Sequence, residues 1–347
     1  MSILTLLLSY NICDMSVVET YLNTVSGFSG AVAVMHGKDV IFKHCYGYAN
    51  YEFDIANNET ALFCIASITK SFTAIAIMKL QEMGKLNVHD PISKYIPDFT
   101  QGDTITLHHL LTHMSGVRNY YRYCGHADDI FTCDTLDQMV DIIKRWELDF
   151  GRGSTYCYSN TGYLLLAYIV EKVSEASFEA FLSEHIFKPA GMCNSGSIAS
   201  GSVIKYKAQG YVRQGGTLCN ARIPVIPLTL LGNGDLYASI DDMMRWIDAL
   251  CAGKIVSHDS LQIIMGKHIA MEGSTDRFYG YGWFVDKQDG KSYIECSGAL
   301  VGFLSKVIRF VDEDITIVIL TNVEDREQFC EVVETLSELV LKNNNAY

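Results

Sequence analysis

Basic charge is what this chain of 347 residues most plainly lacks: 27 Lys and Arg stand against 40 Asp and Glu, a formal net charge of −13, with no cationic run. A nucleic-acid surface is not expected, because phosphate binding needs clustered cations, and a small-molecule or short-peptide partner fits better. No stretch reaches the ~18 apolar residues of a membrane span. Ile3 to Leu8 is apolar but short and has no positive segment before it, so it does not read as an export leader. The eleven cysteines form neither Cys-x-x-Cys pairs nor Cys/His zinc spacings, and several (Cys64, Cys157, Cys251) fall in apparent core segments. Most read as buried free thiols, which favours a reducing, cytoplasmic setting. Internal repeats are absent too.

The length allows a large core and one or two compact units. The segment that organises the rest runs from Phe63 to Leu80, a helix that opens with Ser67 and carries Lys70 one turn on. Phe72, Ile75, Ala76, Met78, Leu80 and Met83 are dense enough to bury it, and Gly84 offers a stop. A hydroxyl in the first turn lies where free N–H groups and the positive end of the dipole favour an oxyanion, and a lysine on the same face can remove its proton if burial keeps the amine neutral. That is the arrangement of an activated serine nucleophile. The tetrapeptide alone is weak, since Ser202-Val203-Ile204-Lys205 fits it equally.

Along the chain, Val17 to Val25 reads as a short helix, and Gly30 to Tyr48 as a hairpin turning at His36-Gly37-Lys38. After the nucleophile helix, Pro91 and Pro97 punctuate a loop-rich passage. Helical periodicity then dominates to about residue 190: Leu107 to Leu111, Leu136 to Trp146, Gly162 to Val173 and Phe178 to Phe187. Beyond Gly196 the chain is loop-like with short strands, and Ser239 caps another helix. Strand signals return at Tyr281 to Val285, Ser292 to Glu295, Leu304 to Phe310 and Ile315 to Leu320, and Val323 to Leu341 gives a last amphipathic helix. The pattern predicts an α/β chain of the α+β kind: an antiparallel sheet from N- and C-terminal strands, flanked by helices, with a mostly helical subdomain inserted. Its expected division is residues 17–66 plus 236–347 for the sheet domain and 67–235 for the helical one, with the active site at their junction, a common place for clefts.

Two further constellations accompany Ser67 and Lys70. Tyr158-Ser159-Asn160 puts a phenol and an amide in a loop before a helix, suited to shuttling a proton and holding a carbonyl, although Tyr21-Leu22-Asn23 and Tyr48-Ala49-Asn50 match the same pattern. Cys296-Ser297-Gly298-Ala299, running on to Gly302-Phe303, follows a strand and lets backbone approach a substrate closely. In this order the three segments resemble the motifs of the penicillin-recognising serine hydrolases, S-x-x-K, S-D-N and K-T-G. The Tyr-x-Asn variant resembles the branch with class C β-lactamases and DD-peptidase-like esterases. Similar segments run from about residue 28 to 325, among them Ile105 to Gly116, Phe187 to Met192, Gly232 to Asp242, Tyr279 to Phe284 and Ile317 to Asn322.

The resemblance implies acyl transfer through a Ser67 ester, with Lys70 and Tyr158 sharing base and acid duties and Asn160 positioning the acyl amide. Ser297 and Gly298 would line the substrate site, and the backbone N–H groups of Ser67 and Ala299 would form the oxyanion hole. No cofactor is implied. One departure is Cys296, where the family usually carries Lys or His: a thiol with an ordinary pKa of about 8.5 is mostly uncharged near neutrality and offers no cation to a substrate carboxylate. Another is Gly151-Arg152-Gly153, where relatives usually have a proline before the glycine; only a loop effect is expected. The first departure shifts weight toward an esterase or amidase, with a D-Ala-D-Ala carboxypeptidase, a β-lactamase, an acyltransferase and a non-catalytic penicillin- or peptide-binding relative as alternatives. Should a carboxylate be bound after all, Arg118 or Arg309 are the cations to consider. His109 and His113 are spaced to share a helix face, but no third metal ligand accompanies them. Arg118, Tyr120, Tyr121, Arg122 and Tyr123 line the cleft mouth or form a solvated loop.

Overall fold

A computed structural model describes residues 15–122, 130–222, 227–288 and 290–344. The hairpin is present as β1 (Gly30–His36) and β2 (Asp39–Tyr46), with Gly37 at φ +59° in its turn. The C-terminal strands are β3 (Ile269–Ala270), β4 (Phe278–Tyr279), β5 (Phe284–Gln288), β6 (Lys291–Leu300), β7 (Phe303–Phe310) and β8 (Ile315–Thr321). They join in one sheet of order β3-β4-β5-β6-β7-β8-β1-β2, every neighbouring pair antiparallel. The N-terminal hairpin therefore docks on the last strand, and Val32 lies opposite Ile319.

The central strands are apolar at almost every position because both faces are covered. On β1, Ala31, Ala33 and Met35 enter the larger core, while Val32 and Val34 enter a second one with Ile317, Ile319 and Phe310. The helices α1 (Ser16–Thr24) and, at the other end of the chain, residues 326–344 close that second core through Val18, Leu22, Val332 and Leu336. The larger core holds α2 (Thr69–Glu82), buried at every position from Thr69 to Met78. Around it lie α3 (Leu107–Leu111), α4 (Leu136–Ile143), α5 (Asn160–Ser174), α6 (Phe178–Leu182), α7 (Ile240–Cys251) and α8 (His258–Ile264), and α9 is Arg326–Asn344. Phe72 of α2 stacks on Trp246 of α7 at 4.3 Å between ring centroids, and Trp246 on Trp283 at 5.5 Å. Among the described residues no helix is long and apolar enough to cross a membrane.

Several boundaries differ from the expected ones. The helix expected to reach Trp146 ends at Ile143, and the one expected to reach Phe187 leaves α-geometry after Leu182 and widens into a π turn over Ser183–Phe187. Val323 and Glu324 pair with Tyr211 and Val212 as short parallel strands, so the last helix starts only at Arg326. The strand placed at Tyr281 to Val285 is Phe284–Gln288, while Tyr281 is buried in the preceding turn. The nine described cysteines are all free, but only Cys64, Cys133 and Cys296 are fully buried; Cys157 and Cys251 are half-buried and Cys193 and Cys330 exposed.

Candidate active site

Ser67 does not begin the α-helix itself. It sits in a 3-10 turn, Ala66–Ile68, that leads into α2, and Ala66 before it is held at φ +47°, a left-handed conformation that costs a non-glycine residue roughly 1–3 kcal/mol. From Ala61 to Lys70 Ser67 alone is not fully buried, so the turn presents one hydroxyl to solvent from an otherwise closed segment. Two contacts set this turn. The Ser305 hydroxyl donates to the Ile65 carbonyl at 2.8 Å, and Gly298 of β6 comes so close that a Cβ on it would stand 2.1 Å from the Ile65 oxygen and 3.0 Å from the Ala66 Cβ. Glycine in the third motif is thus a packing requirement: only bare backbone lets β6 run against the turn that carries Ser67.

Lys70 places Nζ 3.1 Å from Ser67 Oγ and 2.7 Å from the Asn233 carbonyl. Lys70 is only 1% exposed, and burial holds its pKa well below the ordinary lysine value, partly opposed by the charge of Asp235. A neutral amine fits these contacts: one N–H is spent on the Asn233 carbonyl, leaving the lone pair for the Ser67 proton. The Tyr158 hydroxyl donates to Ser67 Oγ at 2.9 Å, and the Tyr158 ring lies beside Lys70, 4.7 Å from Nζ to its centroid. Burial pushes the Tyr158 phenol above its ordinary pKa, opposed by the hydrogen bond to Ser67, so it stays protonated.

Asn160 occupies the first turn of α5 rather than the preceding loop, and Ser159 caps that helix by accepting from the Gly162 N–H at 3.3 Å. Asn119 Nδ2 donates to the Tyr158 carbonyl at 3.2 Å. His113 supports the same segment. Its Nδ1 accepts from the Ser159 N–H (3.2 Å), its carbonyl from the Cys157 N–H (2.9 Å), and its ring lies 4.4 Å from that of Tyr158. Since Nδ1 accepts, the proton is on Nε2 and points at the Tyr279 hydroxyl, 3.1 Å away. Burial keeps this imidazole neutral, its pKa well below the usual histidine value.

Ser67, Lys70, Tyr158, Asn160, Cys296, Ser297, Gly298 and Ala299 all line a single cleft of about 970 Å³. Beyond Glu295 the inner edge of β6 has no partner from β5, so residues 296–300 present free strand backbone there. The third motif is itself strand, not a loop after one. Cys296 is 2% exposed and hydrogen-bonds toward Ser71, and burial drives its pKa far above the ordinary thiol value. It is a neutral group.

The expected cations are misplaced in the sequence reading. Arg118 pairs with Asp149 (3.2 Å), Arg309 with Asp314, and neither lines the cleft; Arg277 and Lys306 do. Both are engaged by Glu295, at 2.9 Å and 2.5 Å, and Arg277 also by Asp286 at 3.4 Å; Arg326, which lines the cleft too, pairs with Glu324 at 2.8 Å. Nothing about Arg277 in the sequence flagged it, because its pairing is created by the β4–β5–β6 register. Tyr120 is buried, not at a cleft mouth, and donates to the Thr229 carbonyl at 2.7 Å. Tyr123 and the side chain of Arg122 lie outside the described residues. His109 and His113 do not share a helix face either. The helix stops at Leu111, His113 follows at φ +58°, and His109 Nδ1 is used by the Thr106 N–H in a capping box. The competing Ser202 lies exposed in a loop and does not line the cleft.

Comparison with known proteins shows the family of the chain. The β-lactamase family model matches residues 18–340. PbpX of Bacillus subtilis (strain 168), provisionally described as a penicillin-binding protein, is 32% identical over 326 residues, spanning 93% of this chain and 78% of that one. Teichoic acid D-alanine hydrolase of Staphylococcus aureus (strain MRSA252) is 27% identical over 330 residues, 95% of this chain and 78% of its own. The crystal structure of a penicillin binding protein from Bacillus halodurans superposes with a TM-score of 0.81 at 28% identity, covering 92% of this chain and 98% of that one. This chain belongs to the β-lactamase family, a family of serine hydrolases.

Proposed function

We propose that this protein hydrolyses an ester or amide through an acyl-enzyme on Ser67, with neutral esters its preferred class. The observation that carries the reading is the convergence of Lys70 Nζ and the Tyr158 hydroxyl on Ser67 Oγ at 3.1 and 2.9 Å, with the lysine buried. Neutral Lys70 takes the Ser67 proton as Oγ attacks the acyl carbon. The oxyanion is received by the backbone N–H groups of Ser67 and Ala299, near the positive end of α2. Tyr158, kept as a phenol, passes the proton to the departing oxygen or nitrogen, and a water reverses the sequence to release the acid. Asn160 holds the acyl side.

The preference for neutral esters rests on charge. Cys296 supplies no cation, burial keeps Lys70 neutral, and the other cations lining the cleft, Arg277, Lys306 and Arg326, already answer Glu295, Asp286 and Glu324. A substrate carboxylate would have to displace one of these pairs. A charge-assisted contact is typically worth ~1.5–3 kcal/mol, so its lack should cost carboxylate-bearing substrates roughly ten- to a hundred-fold. Measuring kcat/KM for a p-nitrophenyl ester, a D-Ala-D-Ala peptide and a penicillin tests this. The ester should win by at least that ratio after correction for intrinsic reactivity. Efficient turnover of the peptide or the penicillin would place the protein among the carboxypeptidases or β-lactamases, and acylation without turnover among the binding relatives.

A further inference from the structure

Lys70 is held from the side away from the cleft by a turn that carries a buried carboxylate. The Asn233 carbonyl that receives Lys70 Nζ lies two residues before Asp235, which is 0% exposed and does not line the cleft. Asp235 Oδ1 accepts from the Gly232 N–H at 2.8 Å, closing the turn, and Oδ2 accepts from the Ser197 hydroxyl. The turn is fixed at its other points as well. Thr73 Oγ1 donates to the Gly232 carbonyl at 2.6 Å, the Leu236 N–H donates to Thr69 Oγ1 at 3.1 Å, and the Tyr120 hydroxyl shares its proton between the Thr229 carbonyl (2.7 Å) and Asn233 Oδ1 (3.1 Å). Gly232, at φ +69°, has no room for a Cβ, which would meet the Ala167 Cβ at 2.4 Å.

A carboxylate is expensive to bury, and the hydrogen bonds that Gly232 and Ser197 supply could equally be met by a neutral amide. The difference is charge, and Lys70 is where that charge is felt. The titratable groups around Asp235 are Lys70 from α2 and Glu179 from α6, whose Oε1 accepts the Ser197 N–H at 3.1 Å, with Tyr237, which also faces Glu179, two residues further along the chain. Those around Lys70 are Asp235, Tyr158, Tyr163 and His113. Burial lifts the Asp235 carboxyl to about 6, with Glu179 acting in the same direction and the Ser197 and Gly232 hydrogen bonds opposing.

We propose that Asp235 is a positioning residue for Lys70: it sets the turn that presents the Asn233 carbonyl to the amine, and its ionisation tunes how readily the lysine takes the Ser67 proton. The proposal rests on Lys70 acting as the base. An ionised Asp235 favours the ammonium form of Lys70, so removing the charge makes the lysine a competent base at lower pH. An opposite charge at close range moves a pKa by about one unit or more, which sets the size of the effect.

The experiment is the pH profile of the rate at which a fluorophosphonate labels Ser67 in the whole protein. Asp235→Asn keeps the shape, with the Ser197 hydroxyl turning from donor to acceptor, and should move the acid limb down by about one pH unit. Ser197→Ala strips a hydrogen bond from the carboxylate, favours its protonated form and should move the limb in the same direction, while Ser197→Thr restores the native profile. If Asp235→Asn fails to fold, the Ser197 pair carries the test. Rates that fall equally at every pH, with the limb unmoved in the variants that fold, overturn the proposal and leave Asp235 a structural turn residue. Labelling that persists in Ser67→Ala, or is absent from the native protein, instead defeats the underlying reading.

Discussion

A buried lysine has a thermodynamic signature apart from catalysis. Lys70 in the folded chain lets go of its proton well below the ordinary lysine value, whereas in the unfolded chain it holds the proton to about 10.4. Between those two values the unfolded state binds more protons, so folding stability contributed at this position rises with pH and is lost as pH falls. Wild type should therefore gain stability relative to Lys70→Met between pH 8 and pH 10, by up to ~1.4 kcal/mol per unit. Denaturant unfolding of both proteins at several pH values checks it, and parallel curves would mean that Lys70 is protonated in the folded state. Ser67, Lys70, Tyr158 and Asn160 were legible because each belongs to a short motif with fixed local spacing. Asn233, Asp235, His113 and Arg277 were not, because they lie 46 to 210 residues from Ser67 in sequence and only the folded chain brings them to the site.

At the scale of elements, the turn that carries Ser67 is positioned by a strand. Gly298 lets β6 pass against Ile65 and Ala66, and Gly282, at φ +79°, does the same against α2, where a Cβ would meet the Ser71 Cα at 2.7 Å. Gly298→Ala has ordinary strand dihedrals available to it, so its damage should fall on the spacing between β6 and Ser67. An ångström of displacement at a reacting centre costs about 10²-fold, and kcat/KM should drop by that order while the folded protein persists. A drop in melting temperature without a change in kcat/KM would contradict the spacing argument. Most elements were readable from their periodicity, and the misplaced ends have physical causes. Val323 and Glu324 continue an apolar pattern that reads as helix but find a strand partner at Tyr211 and Val212, from a segment 110 residues earlier. The strand expected at Tyr281 to Val285 begins three residues later because Tyr281 and Trp283 are buried by side-chain packing, not by the sheet.

For the whole molecule, the sheet assembled from both ends of the chain followed from where strand signals fell, but the contents of the cleft depended on register. The same packing buries a histidine group whose cost appears in acid. His108 Nδ1 lies 2.7 Å from the Tyr281 hydroxyl, and burial, with smaller contributions from His268, His109 and His89, lowers its pKa to about 4. Unfolded, it would take a proton near 6.5, so between about pH 6.5 and pH 4 the unfolded chain binds more protons and stability falls as pH falls. His108→Asn should lose less stability than wild type from pH 7 to pH 4.5 in thermal melts, and an equal loss would remove His108 from the account. The central claim is that the cleft works through a covalent intermediate on one hydroxyl. Acid quenching during turnover of a p-nitrophenyl ester, followed by intact mass and peptide mapping, tests it most directly. The acyl mass should appear on the peptide containing Ser67 and vanish in Ser67→Ala together with turnover, whereas turnover that survives in Ser67→Ala, or an adduct on any other residue, would contradict it.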